Sequence, residues 1–113
     1  MTDAVKKRLL DALHACQATQ DFTSEIEFAE YDRDLMVRSA VERQLEIVGE
    51  ALGQAAQESD AIADKIPAIP RIVALRNRVI HGYDSVDNEI VWDIMRTKIP
   101  PLIKQLRRAL ERG

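Results

Sequence analysis

Between Asp34 and Ser59, apolar residues recur in steps of four, four, three and four: Val37, Val41, Leu45, Val48 and Leu52. That spacing follows the roughly 3.6-residue turn of an α-helix and not the two-residue alternation of a strand. Met36, Ala40, Ile47, Ala51 and Ala55 widen the stripe. A stripe this wide needs cover on two sides, or from a second subunit. Gly49 and Gly53, four residues apart on the same helix, either admit a close neighbour or are tolerated surface glycines costing about 1 kcal/mol each against Ala.

The remaining chain reads as shorter helices around this one. A first helix is predicted from Asp3 to Thr19, capped by Thr2, with Val5, Leu9, Ala12, Leu13 and Cys16 on its buried side. Ser24 and Glu27 have the form of a capping box, which predicts a short helix over Glu25 to Glu30 packed down by Phe22, Ile26 and Phe28. Asp60 to Pro70 reads as a loop anchored by Ile62, Ile66 and Ile69. A helix follows from Arg71 to Ile80 and ends at His81-Gly82, where Gly82 suits the left-handed position past a helix end. Asp87 caps a last helix from Asn88 to Arg112, with a kink or a break at Pro100-Pro101. The expectation is a single all-α domain over residues 1–113: an antiparallel, up-and-down bundle of about four to five helices with a kinked last helix, dimerising through helices.

Aromatic residues make up only 4% of the 113 residues, which disfavours a sheet protein. The single cysteine, Cys16, forms no intramolecular disulfide and reads as a small core residue, and no stretch is long and apolar enough to span a membrane. A cytoplasmic protein is expected. The net charge of −3 argues against bulk nucleic-acid binding, but its distribution is uneven. Residues 1–64 hold 6 Lys/Arg against 14 Asp/Glu, and residues 65–113 hold 10 against 5. From Lys65 to Tyr83 there is no carboxylate, while Lys65, Arg71, Arg76 and Arg78 are basic. Such a field can hold phosphates on an acidic protein; equally, the two halves can attract each other.

The segment Arg76-Asn77-Arg78-Val79-Ile80-His81-Gly82-Tyr83 concentrates reactive groups. Breaking an RNA chain requires a proton taken from the 2′-hydroxyl, a proton given to the 5′-oxygen, and stabilisation of a crowded phosphate. Histidine titrates near neutral pH and suits both transfers. The arginine fork matches phosphate oxygens. No metal or other cofactor is needed, and the nearest carboxylates, Asp84 and Asp87, have no ligand spacing. On a continuous helix Arg76 and His81 stand about 140° apart. They converge only if the helix ends between them or if a second subunit completes the site.

From Arg38 onward the chain resembles the HepT-like branch of the HEPN superfamily, toxins paired with minimal nucleotidyltransferases of the MntA type. The resemblance lies in Ala40-Val41-Glu42-Arg43-Gln44-Leu45-Glu46-Ile47-Val48-Gly49-Glu50-Ala51, in Leu75 through Tyr83, in Val91-Trp92 and in Ile99-Pro100-Pro101-Leu102. It implies a dimeric, metal-independent RNase of a type VII toxin–antitoxin system. Arg76 would stabilise the scissile phosphate, His81 would be the acid–base group, and Asn77 would orient the site. Tyr83 would accept AMP from the cognate nucleotidyltransferase antitoxin, placing bulk and charge where RNA phosphate must sit. Arg78 and Arg71 are candidate RNA contacts, Arg78 equally a solvated charge. Many relatives carry an aromatic residue shortly before the arginine; this chain has Ile69-Pro70-Arg71-Ile72-Val73 there. Two other readings stand beside the toxin: a non-catalytic nucleotide- or protein-binding subunit of a nucleotidyltransferase complex, and a structural dimerisation domain.

Overall fold

The computed structural model describes the backbone of residues 1–81 and 87–112 and the side chains of all of these except Val79, Ile80 and His81. Among these residues are seven helices: α1 (Asp3–Thr23), α2 (Phe28–Arg33), α3 (Leu35–Glu58), α4 (Asp60–Lys65), α5 (Ile69–His81), α6 (Asn88–Thr97) and α7 (Ile99–Arg112). Among the described residues there is no strand. The fold is all-α, as the apolar spacing predicts.

The caps explain most boundaries. The amide of Val5 donates to the Thr2 hydroxyl at 3.2 Å, and those of Met36 and Val37 donate to Asp34 Oδ1 at 3.1 and 3.2 Å. Asp87 accepts from Glu89 and Ile90 at the start of α6. Each such cap satisfies amides that the helix itself leaves unpaired.

Four expectations are corrected. The predicted capping box does not form, because Ser24 follows the end of a longer α1. The short helix starts at Phe28 with no side-chain cap. Residues 60–65, read as loop, are helical because the Ser59 hydroxyl accepts from Ile62 N–H at 3.4 Å, and Pro67 comes only after the helix has closed. The last helix does break and restart, one of the two expected outcomes, at Lys98, so that Pro100 and Pro101 fall in the first turn of α7, where no amide is needed. Phe22 and Met36 are exposed, 41% and 81%, and do not contribute to the core as expected.

Helix α3 lies at the centre, with α1 on one side and α5 on the other. Arg8, early in α1, reaches Glu58 at the end of α3 at 3.6 Å, so the two run antiparallel. Gly49 of α3 faces Arg76 of α5, and Gly53 faces Val73, so this pair is antiparallel as well. Val41, Leu45, Val48, Leu52 and Ala55 are all buried in the one continuous core. Helix α7 packs against α1, and its Leu102, Ile103 and Leu106 are buried in the same core.

Cys16 is fully buried in α1, and burial pushes its thiol up from 9.0 to about 12. The hydroxyl of Tyr31, also fully buried and without a partner among the described residues, is raised by burial and then by Glu42 nearby. The fold therefore favours the neutral form of both groups. The stability this contributes is complete below pH 9.0 and is lost as pH rises towards about 12. Urea unfolding followed upward from pH 9.0 is expected to show a fall approaching about 1.4 kcal/mol per pH unit for each group, and Cys16→Ala to flatten it; equal slopes in the two proteins would refute this.

Candidate functional site

Helix α5 begins with Ile69 and Pro70, and its proline occupies the first turn, where the missing amide costs nothing. Ile69 is buried, and Ile72, Val73 and Leu75 pack against the core. The opposite side presents Arg71, Ala74, Asn77 and Arg78 to solvent. The helix contains no carboxylate along its whole length.

Arg76 stands between these two faces and is half-buried. Its stem lies over Gly49: a Cβ built at Gly49 would overlap Arg76 Cβ and sit 2.8 Å from Arg76 Cγ. Arg76 Nη1 donates to Asn77 Oδ1 at 3.0 Å. Arg76 Nε is buried and has no hydrogen-bond partner among the described residues. A buried donor left unpaired costs roughly 1–3 kcal/mol. No ion pair among the described residues involves Arg76. The result is a positive group seated by packing, steered by Asn77 and not neutralised by the described protein. An oxygen anion such as a phosphate would satisfy its charge.

The structure brings Arg76 and Asn77 together and leaves Arg78 and Arg71 on the solvent side of the same helix. His81 is the last residue of α5, so the helix does not end between Arg76 and His81. Of the two ways these residues could converge, the one that relies on an intervening helix end is therefore ruled out, and about 140° of helix separates their positions. The His81 side chain and residues 82–86, among them Gly82, Tyr83 and Asp84, lie outside the described residues.

Arg71 also borders a cleft of about 410 Å³ between α3, α5, α6 and α7. Its walls are mainly aliphatic, with Leu45, Ile72, Leu75, Ile94 and Leu102 among them, and no carboxylate lines it. Lys98 is the second cation of this cleft. Sequence reasoning missed Lys98, and only its place beside the helix break could have signalled it.

Trp92 is half-buried and packs against the core. Its ring packs against Phe28 and Tyr31, with centroids 6.1 and 5.2 Å away, and the Arg96 guanidinium lies 4.3 Å from its centroid. Arg96 also donates to the carbonyls of Thr23 and Ile26 at 3.3 and 3.0 Å. Arg107, Arg108 and Arg112 are exposed on the end of α7.

The chain belongs to the HepT-like family, described as "Ribonuclease HepT-like", whose profile matches residues 12–109. A "Putative RNase" of Methanocaldococcus jannaschii is 32% identical over 109 residues, covering 95% of this chain and 88% of the relative. A second from the same organism is 34% identical over 104 residues, covering 90% and 93%. A "Probable ribonuclease HepT" of Thermococcus cleftensis is 32% identical over 97 residues, covering 86% and 87%. No solved structure matches the chain.

Arg96 ties α6 to the α1–α2 connection without touching Arg76. Arg96→Ala is expected to lower stability by about 1 kcal/mol through lost hydrogen bonds and ring contact. Urea unfolding measures this, and an unchanged midpoint would show the contacts to be inert.

Proposed function

We propose that this chain is an RNA endonuclease of the toxin type, working without a metal ion as a homodimer. In the same proposal, a nucleotidyltransferase antitoxin silences it by transferring AMP to Tyr83. The observation that carries this reading is Arg76: a guanidinium seated on Gly49, oriented by Asn77, with a buried and unpartnered Nε, five residues ahead of His81. Membership of a family described as ribonuclease supports it, as do relatives named as RNases.

In this mechanism Arg76 binds the scissile phosphate and stabilises the charge that builds up on its oxygens. His81 takes the 2′-hydroxyl proton and returns a proton to the departing 5′-oxygen. The 2′-oxygen forms the new bond to phosphorus as the 5′-oxygen leaves, giving a cyclic phosphate end. Arg71 and Arg78 guide the strand by charge. The second subunit is invoked because positions 76 and 81 stand about 140° apart on one unbroken helix. AMP on Tyr83 would add bulk and negative charge two residues from His81, opposing the RNA phosphate.

Purified protein incubated with RNA in EDTA is expected to cleave it and leave cyclic phosphate ends. Arg76→Ala and His81→Ala should each lower the rate by about 10²- to 10⁴-fold while the dimer persists. Retained cleavage in both variants would refute the assignment. Inert wild-type protein with measurable nucleotide affinity would favour the non-catalytic subunit. Arg71→Ala and Arg78→Ala should instead weaken RNA binding and reduce its salt dependence.

The regulatory part has a separate test. Intact mass of the chain co-expressed with its antitoxin should show added AMP, absent in Tyr83→Phe. Equal additions in both would move the modification elsewhere.

A further inference from the structure

We propose that Gly49 is a positioning residue for Arg76, acting through the side chain it lacks. The inference rests on the ribonuclease reading and extends it to a residue on a different helix. Arg76 Cβ and Cγ occupy the space in which a side chain at position 49 would begin. Two of the three nearest atoms there are the root of Arg76, and the third is the Ile72 carbonyl oxygen, 3.3 Å away. Neither the Cβ of Arg76 nor a helix carbonyl can swing aside as the tip of a flexible side chain can. Any residue other than glycine at position 49 must move α5 itself. The guanidinium would then be displaced relative to α3.

Gly53 serves as the internal contrast. A Cβ there would lie 3.3 Å from Val73 Cγ2, a branched methyl that a shift of a few tenths of an ångström accommodates. The two glycines of one helix therefore have different tasks. Gly53 eases packing; Gly49 fixes where the phosphate-binding side chain is rooted. Displacing a reacting or binding group by about 1 Å can cost about 10²-fold in rate.

The test compares Gly49→Ala, Gly53→Ala and Leu106→Ala, the last a core change on α7 chosen to lose stability far from Arg76. Turnover of an RNA oligonucleotide is measured where each protein is fully folded by circular dichroism. Gly49→Ala is expected to lower kcat about 10²-fold with KM changed little, while the other two keep kcat within about threefold. A kcat for folded Gly49→Ala within about threefold of wild type would overturn the proposal.

Should Gly49→Ala not fold alone, urea unfolding of paired variants decides the matter. Arg76→Gly removes the overlapping Cβ and should restore stability to Gly49→Ala, but give none to Gly53→Ala. Equal effects on the two would also overturn it. If wild-type protein cleaves no RNA, the ribonuclease reading fails, and these unfolding measurements still report whether position 49 seats residue 76.

Discussion

The contact of α5 with α3 at Gly49 sets the geometry on which the candidate site depends. Without a side chain at that point, the root of Arg76 comes down onto the α3 backbone and Arg76 Nε is taken out of water. Arginine normally keeps its charged end solvated while its stem lies along apolar surface. Here the stem is so closely seated that part of the head is buried too. The desolvation cost is carried by the packing of Ile69, Ile72, Val73 and Leu75 on the same helix.

Charge placement follows the same logic. The protein is acidic as a whole, yet α5 has no carboxylate and no ion pair among the described residues reaches Arg76. The three ion pairs among the described residues lie on α1 and α3, at exposed or partly exposed positions, where such pairs contribute little. The acidic half and the basic half are thus not simply neutralising each other at this site. What remains is a locally positive surface with one held guanidinium at its centre, a pattern suited to a polyanion that must be bound in register.

The other end of the molecule shows what an arginine does when it is structural. Arg96 lies over Trp92 and donates to two carbonyls, so its hydrogen bonds are spent within the fold. Arg76 makes one side-chain hydrogen bond, to its own neighbour, and leaves Nε–H without a partner among the described residues. Residue type does not distinguish the two; their partners do.

The sequence by itself determined the helical class, the long central helix and its caps, and the Arg76-to-His81 segment. Each of these is local: a repeat of apolar residues, a polar side chain one step before a helix, a reactive motif. It also offered Gly49 and Gly53 as a place for close approach, without saying which residue would come close. Tertiary structure decided that the partner is Arg76, that Trp92 packs half-buried against the core and that Lys98 shares a cleft with Arg71. It also showed Met36 to be solvent-facing although it continues the apolar stripe. The boundaries misread from the sequence, at Ser24 and Ser59, lie where a capping residue suits either a turn or a new helix. Only packing resolves that choice, because the burial of Ile62, Ile66 and Ile99 stabilises the helical alternative over the loop.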